Sequence, residues 1–332
     1  MNNVLLLQLD GKQPNIALMR LAHHYKRQGA TVHFRQGFNE YMLRTSASPA
    51  NTFDAVYAST IFSRTQPLLP IVYELYPHAI IGGTGSDDTI TLEHLEVGIA
   101  QDYSIYPAFQ HSIGYSQRGC RLKCKFCMVP TMEGAAKFEQ GILQIWRGDP
   151  YPRNLLLLDN DFFGVPEWRE AIKTIRDGDF KVCFNQGINI RMIGPEEADA
   201  IASVNYRDDS FERRRLYTAW DNAKDEARLF RGLQLLVDRG VNPRNIMVYM
   251  LCGYWPGETH EDREMRRKKL CDFGCLPYPM VYTYPPDYKK PSDLSGYQRW
   301  IIRRYYQKVS WEIFCKAKWR PDKVNEFLPS SS

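Results

Sequence analysis

The chain has 332 residues, of which 44% are hydrophobic and 24% charged, and its formal net charge is +5. This composition is typical of a folded globular protein, and the length suits two domains better than one. No run is long and apolar enough to predict a membrane span, and eight cysteines fit a reducing cytoplasm better than a disulfide scaffold. We therefore expect a cytoplasmic protein without a membrane partner, whose mild basicity permits an anionic substrate without requiring one.

The first hundred residues alternate short apolar runs with helical ones. The run at residues 4–9 has no basic segment before it and predicts a first strand rather than a signal peptide. Further strands are predicted at 31–35, 54–59 and 79–81, with helices at 15–28 and 66–76. Apolar strands separated by helices predict a doubly wound parallel sheet, whose ligands bind at the carboxyl ends of the strands. Asp10-Gly11 and the glycine-rich loop 82–85 lie at such ends.

Residues 101–110, which include Pro107, are a predicted linker to a second series of elements over residues 111–290. Six strands are predicted there, at 111–115, 154–158, 181–185, 215–219, 245–251 and 279–284. Helices are predicted between most of them, at 166–176, 196–203, 225–240 and 261–273. Six units are too few for a closed eight-stranded barrel, so we predict a partial (β/α)6 barrel with its chemistry at the carboxyl ends of the strands. Residues 291–332 form a basic and aromatic helical extension.

Three cysteines follow the first strand of this second series. Cys120, Cys124 and Cys127 are separated by three and then two residues, so their thiolates can converge on one inorganic centre. Four-iron clusters usually take four cysteines, and three leave one iron with an open position of the kind that catalytic metal sites use. The alternative is a zinc site that adds a fourth ligand such as His111, although no second ligand pair lies at a matching spacing.

This spacing resembles the signature of the radical S-adenosylmethionine superfamily, in which an aromatic residue commonly precedes the last cysteine, as Phe126 does here. The resemblance implies a 4Fe–4S cluster whose free iron binds the amino and carboxylate groups of S-adenosylmethionine. It also implies one-electron cleavage to methionine and a 5′-deoxyadenosyl radical that abstracts hydrogen from a substrate. A small electron donor such as flavodoxin or ferredoxin is the implied partner.

Residues after the second and third strands fit binding of S-adenosylmethionine. Superfamily members commonly place polar residues after the second strand, and Asp159, Asn160 and Asp161 lie there. A carboxylate suits the amino group of the methionine moiety, although Asp and Asn are equally apt helix caps. After the third strand, Gly187 and then Arg191 suit an anionic group, which is either the methionine carboxylate or a substrate.

The fourth and fifth strand ends complete the predicted site. Asp221 is expected either to bind a ribose hydroxyl or to cap the next helix. The loop 253–258, which includes Gly253, Gly257 and Glu258, resembles the Gly-x-Pro-Gly-Glu-Thr loop of many superfamily members and implies contacts with adenine. Cys252 lies just before it and is predicted either to donate hydrogen to a product radical or carry a methyl group, or to pack in the core.

Further cysteines allow two interpretations. Cys271 and Cys275 lie four apart and could, with Cys315, hold an auxiliary cluster. Their apolar surroundings fit buried small side chains equally well.

The N-terminal pattern resembles the cobalamin-binding type of domain that precedes many radical enzymes of this superfamily. That domain places an axial histidine two residues after the aspartate beyond the first strand, whereas Asp10 is followed here by Gly11 and Lys12. His23 and His24 come only within the predicted helix. The sequence therefore leaves two alternatives open: a domain that binds cobalamin, or a degenerate domain that serves packing or substrate capture.

The C-terminal stretch 297–320 mixes arginines and lysines with tryptophans and tyrosines. Such a mixture suits phosphate contact and base stacking, or a helix that packs its rings on the barrel. We therefore expect a nucleotide, a nucleic acid or another anionic molecule as substrate. Cobalamin-dependent methylation or peptide modification is the enzymatic alternative, and a non-catalytic zinc- or cluster-bearing nucleic-acid-binding protein is the alternative of another class.

Overall fold

The computed structural model describes residues 2–37, 39–86, 90–282 and 292–320. The chain divides into two compact units, Met1–Gln110 and His111–Ser332. Both are of the α/β kind with parallel sheets, as the sequence predicts. None of the helices in the described ranges has the length and apolar character that crossing a membrane requires.

The first unit is built on a four-stranded parallel sheet of order β2-β1-β3-β4. Its strands are β1 (Asn3–Gln8), β2 (Thr31–Gln36), β3 (Ala55–Ser59) and β4 (Ile80–Gly82). Its helices are α1 (Ile16–Arg27), α2 (Glu40–Thr45) and α3 (Leu69–Leu75), with 3₁₀ turns at Ala50–Thr52, Ser63–Leu68 and Tyr103–Ile105. The central strand β1 is buried along almost its whole length, which explains its unbroken apolar run.

Local signals define the first helix of this unit. The Asn15 side chain accepts a hydrogen bond from the backbone N–H of Leu18 at 3.1 Å and so caps the start of α1. The segment 101–110, predicted as a linker, packs within this unit. Its Tyr106 hydroxyl donates to the Gln8 side chain at 2.6 Å and accepts from the backbone N–H of Asn15 at 3.1 Å. The boundary between the units therefore follows this segment.

The second unit contains most of the secondary structure. Its strands are β5 (Ser112–Gly114), β6 (Gln117–Arg118), β7 (Lys137–Phe138), β8 (Asn154–Leu157), β9 (Lys181–Phe184), β10 (Asn205–Tyr206), β11 (Leu216–Ala219), β12 (Ile246–Cys252) and β13 (Leu276–Val281). Its helices are α4 (Val129–Met132), α5 (Ile142–Ile145), α6 (Trp168–Asp177), α7 (Pro195–Ser203), α8 (Glu226–Val237), α9 (His260–Asp272), α10 (Ser292–Ile302) and α11 (Trp311–Lys316). Its 3₁₀ turns are Ala223–Asp225, Pro243–Asn245 and Tyr305–Gln307.

The six strands predicted for this unit are all present, as β5, β8, β9, β11, β12 and β13. They form two parallel sheets of order β10-β9-β8-β5 and β11-β12-β13, and β6 and β7 form an antiparallel hairpin. The short strand β10, which the sequence does not predict, takes the outer edge at the start of β9. Beyond the end of β9, the N–H of Ile188 bonds to the carbonyl of Tyr217 on β11 at 2.8 Å. No closure into a barrel is detected among the described residues.

The core of the second unit lies on one face of these sheets. Alternate strand residues such as Leu155, Val182, Leu216 and Val248 join the helices in one buried cluster. Rings of the C-terminal extension, among them Tyr297, Trp300 and Phe314, belong to the same cluster. The packing interpretation therefore holds for these rings, and the tail beyond residue 320 lies outside the described residues.

Candidate functional site

The cysteine loop is held at its base by a two-residue hairpin. Gln117 and Arg118 of β6 pair with Phe138 and Lys137 of β7, so the chain between them leaves and returns at one place. The two ends of the loop lie so close together that a Cβ on Gly119 would be 2.2 Å from the carbonyl oxygen of Ala135. The φ of Gly119 is also +78°, in the left-handed region. Only glycine fits both constraints without strain.

Glu133 closes the other side of this loop. Its carboxylate accepts hydrogen bonds from the backbone N–H of Gly119 at 2.8 Å and from the side chains of Arg118 at 2.9 Å and Asn160 at 3.1 Å. The N–H of Cys120 also bonds to the carbonyl of Gly134 at 3.2 Å. Asn160, one of the predicted site residues, therefore bonds to the loop that carries the cysteines.

Asp161 supports the same loop from the end of β8. Its side chain is 1% exposed and forms a two-point ion pair with Arg121, with N–O distances of 2.7 and 3.0 Å. It also accepts from the backbone N–H of Arg121 at 3.1 Å. The carboxylate is thus fully engaged by the residue next to Cys120.

Asp159 is likewise engaged inside the chain. It is 4% exposed and accepts from the backbone N–H of Gln117 at 2.6 Å and from the hydroxyl of Ser116 at 3.0 Å. Burial raises its pKa to about 7, although both hydrogen bonds favour the charged form. Because α6 begins well beyond these positions, neither Asp159 nor Asp161 caps a helix.

The three thiols are half-buried neighbours. Burial raises the pKa of Cys120 and of Cys127, and the adjacent thiols add to the rise. The N–H of Leu122 points to the Cys120 sulfur at 3.4 Å and favours its anion. Within the described ranges, no group of three or more His, Cys, Asp or Glu side chains is arranged to hold one metal ion. Three adjacent thiols are nevertheless the soft donor set that iron–sulfur clusters take, and the ligands of a cluster bind different irons.

His111, the fourth ligand of the zinc alternative, lies at the opposite edge of the sheet. It directly precedes β5, whereas the cysteine loop comes after β5. Its ring lies 3.1 Å from the Asn154 side chain, at the start of β8, and packs on Phe211 at 4.5 Å. A zinc ion held by the three cysteines cannot reach His111 in this arrangement.

Arg191 connects the third strand end to the cysteines. Its guanidinium pairs with Asp225 at 2.7 Å and lies close to the Cys124 thiol. Burial opposes its charge, but these two partners more than offset the effect and raise the pKa of Arg191. A fixed cation therefore lies beside the central cysteine, where it can attract an anionic group of a ligand.

Asp221 differs from the other carboxylates at this edge. It forms no hydrogen bond or ion pair through its side chain with any described residue, although it lies near Cys127 and Arg191. Burial raises its pKa to about 6. The following 3₁₀ turn is capped by Asn222, whose side chain accepts from the N–H of Lys224 at 3.0 Å. The capping alternative is therefore excluded for Asp221, and its carboxylate stays available to a ligand.

The loop after β12 is organised by Glu258 and Arg266. Glu258 accepts from the backbone N–H of Gly253 at 2.6 Å and pairs with Arg266. Arg266 is 2% exposed and also donates to the carbonyls of Trp220 at 3.0 Å and Leu251 at 3.0 Å. One buried guanidinium thus connects the ends of β11 and β12 with the loop between β12 and α9.

Aromatic contacts connect this loop to the cysteines. The Phe126 ring lies 5.4 Å from that of Tyr254, which in turn lies 4.9 Å from Tyr282. Trp255 donates its indole N–H to the carbonyl of Asp221 at 2.6 Å. Gly253 and Gly257, with φ values of +85° and +78°, provide the left-handed positions of the loop. The first, fourth and fifth strand ends therefore meet at one edge.

The remaining cysteines lie outside this edge. Cys252 is fully buried on the helix-facing side of β12, and its thiol donates to the carbonyl of Met250 at 3.3 Å. Burial raises its pKa to about 12, so it stays a thiol, and its place in the core keeps it away from a substrate at the strand ends. Cys275 is buried in the same core, and Cys271 contacts Tyr306 and Arg267. These positions favour packing.

The corresponding edge of the first unit is occupied by its own backbone. Asp10 accepts from the N–H groups of Ile61 at 2.8 Å and Phe62 at 2.9 Å, and from the Thr65 hydroxyl at 2.7 Å. The glycine-rich loop packs directly on the same segment, since a Cβ on Gly83 would lie 2.1 Å from the carbonyl of Thr60. His23 and His24 lie on α1, about two turns beyond its start.

The sequence did not indicate three residues that organise the site. Arg121 and Glu133 were readable only as loop charges, and Arg266 only as one of several charges on a helix. The repeated charges of 261–269 give no signal that three of them, Arg263, Arg266 and Arg267, are buried. Comparison with protein families, with curated proteins and with solved structures gives no match to this chain.

Proposed function

We propose that this protein is a radical S-adenosylmethionine enzyme. The observation that carries the proposal is that the cysteine triplet shares one sheet edge with a fixed cation, Arg191, and with Asp221, a carboxylate that has no side-chain partner among the described residues. A structural zinc site would have no use for these two groups. A site that binds a zwitterionic ligand with ribose hydroxyls beside the cysteines uses both.

At the level of fold, the proposal includes two finer assignments. The six parallel strands of the second unit would form the partial (β/α)6 barrel of the superfamily. In the order β2-β1-β3-β4 of the first unit, all strands are parallel and the direction in which strands are added reverses between β1 and β3, which fits a flavodoxin-like sheet of the cobalamin-binding type. The engaged Asp10 supports the degenerate form of that domain.

Cys120, Cys124 and Cys127 would hold the 4Fe–4S cluster. When bound, the cluster supplies the electron that cleaves S-adenosylmethionine to methionine and a 5′-deoxyadenosyl radical, which then abstracts hydrogen from the substrate. The thiols must lose their protons to bind iron. The backbone N–H beside the Cys120 sulfur favours that loss at Cys120.

The other residues of this edge would bind S-adenosylmethionine or hold the cysteine loop in position. Asp221 would accept hydrogen bonds from ribose hydroxyls, and Arg191 would attract the methionine carboxylate. Phe126 and the loop 253–258 would form the apolar wall for adenine, held in place through Glu258 and Arg266. Asp159 and Asp161, whose carboxylates are already satisfied, would act by fixing the cysteine loop. We propose a flavodoxin- or ferredoxin-like electron donor and an anionic substrate.

The test is anaerobic reconstitution with iron and sulfide, followed by reduction with S-adenosylmethionine and chromatographic assay of 5′-deoxyadenosine. We expect a cluster with about four irons and formation of 5′-deoxyadenosine. Both should be lost in Cys124→Ala and retained in Cys315→Ala, a matched control because Cys315 is a half-buried cysteine outside the triplet. A protein that binds zinc in preference to iron and leaves S-adenosylmethionine intact would overturn the proposal.

A further inference from the structure

Arginines from three segments gather at the edge of the second unit opposite the candidate site. Arg215 directly precedes β11 and Arg244 lies in the turn before β12, so both lie at the amino ends of parallel strands. The Arg215 guanidinium donates to the carbonyl of Arg244 at 3.1 Å. Burial lowers the pKa of Arg215, and the charges of Arg213 and Arg304 lie near enough to lower it further. We name Arg213, Arg215, Arg244 and Arg304 the amino-edge arginine cluster.

The carboxylates near this cluster form no ion pair with it in the part of the chain that the structure describes, although Asp208 lies close enough to Arg215 to favour its charge. None of its four members forms an ion pair there, whereas exposed arginines elsewhere, such as Arg169 and Arg176, do. Two further exposed arginines, Arg214 and Arg303, directly adjoin members of the cluster in the chain. Like charges held together at a surface are unfavourable unless an anion binds between them.

The surroundings of the cluster favour a nucleic acid over a membrane. Among the described residues, no exposed large hydrophobic side chain lies in the segments 207–215, 242–245 or 299–308. A lipid-binding surface would be expected to insert such side chains. The rings of the extension are largely buried in the core, so base stacking is not offered either. The cluster therefore offers guanidinium groups, whose paired N–H donors match the phosphate groups of a nucleic-acid backbone.

We propose that the amino-edge arginine cluster binds the phosphate backbone of a folded RNA. The seven residues of β12 separate the two edges by about 23 Å. A single nucleotide cannot contact both edges, but a polymer can bind at one and present a residue at the other. The inference that RNA binds at this cluster goes beyond the proposed function. Only the view that the bound RNA is also the substrate rests on the proposed function.

The experiment is fluorescence anisotropy of the full-length protein with a fluorescein-labelled RNA hairpin, at salt concentrations from about 50 to 200 mM. The variant Arg213→Glu/Arg244→Glu reverses two exposed members of the cluster. The control Lys173→Glu/Arg176→Glu reverses two exposed cations of α6 and changes the net charge equally. Tryptophan fluorescence checks that each variant is folded.

We expect the cluster variant to weaken binding by about tenfold or more and to reduce the salt slope by about 2. The control should stay within about twofold of the unchanged protein. An equal loss in both variants, or no binding at the lowest salt, would overturn the proposal. So would tighter binding to vesicles with anionic phospholipids that is lost in the same variant. The measurement needs neither iron nor S-adenosylmethionine, so its failure leaves the proposed function standing.

Discussion

Replacement of Arg266 by methionine tests whether one buried guanidinium holds the strand ends together. Methionine keeps much of the side-chain volume but removes the charge and the donors. Glu258, whose side chain is 8% exposed, would then lose its close partner, with Arg263 left at 4.0 Å. The carbonyls of Trp220 and Leu251 would each lose a hydrogen bond in a buried place.

The expected cost follows from these contacts. Removal of one partner of a buried ion pair costs about 3–5 kcal/mol, because the other charge stays buried. A carbonyl left without a donor adds about 1–3 kcal/mol where water cannot enter. These terms overlap, so we expect Arg266→Met to lower the free energy of unfolding by about 4–6 kcal/mol. The double variant Arg266→Met/Glu258→Gln should recover at least about 2 kcal/mol, since no buried charge remains.

The assay is urea unfolding followed by tryptophan fluorescence. All seven tryptophans lie beyond residue 110, so the signal reports on the second unit alone. A single variant that costs less than about 1 kcal/mol, or a double variant no more stable than the single, would refute this account of Arg266.

Three further predictions concern the frame of the cysteine loop. Burial raises the pKa of Asp159 from 3.8 to about 7, so the folded state binds its proton more tightly. The stability of the second unit should therefore fall by up to about 4 kcal/mol as pH rises from about 4 to 7, and urea midpoints of Asp159→Asn should lack this slope. Gly119→Ala should cost at least about 3 kcal/mol, whereas Gly148→Ala, with the same φ of +78° but open space around it, should cost about 1 kcal/mol; similar unfolding midpoints would contradict the steric argument. Asp161→Asn should weaken the hold on Arg121 by about 2 kcal/mol and speed amide hydrogen exchange in residues 119–127 but not in α8, and unchanged exchange there would show that the pair does not hold the loop.

The sequence predicted the strands well wherever an apolar run was unbroken. All six strands of the second unit were found, and five of them begin and end within about two residues of the prediction. The sixth begins at Leu276 rather than 279, because Pro277 and Pro279 interrupt the pattern. Prolines are tolerated there, since β13 is an edge strand. The two-residue strands β6, β7 and β10 are too short to show any periodicity.

Side-chain partners were less predictable than elements. The charged stretch of α9 resembles a solvated helix, yet Arg263, Arg266 and Arg267 are 5%, 2% and 9% exposed. Arg267 pairs with Glu264 of its own helix, but Arg263 pairs with Asp293 of α10 and Arg266 bonds to the carbonyls at the ends of β11 and β12. A local pattern carries no information about such contacts.

The spacing of the cysteines, the order of strands and helices, and therefore the residues that follow each strand can be read from the sequence alone. These are local properties, because an apolar run and a fixed spacing act within a few residues of the chain. Which of the carboxylates at the strand ends are engaged depends on the folded arrangement. Asp159 and Asp161 are satisfied by the segment that carries the cysteine loop, and Asp221 is not. Three similar side chains thus differ in role because packing brings donors from distant segments to two of them, whereas no described residue donates to the third.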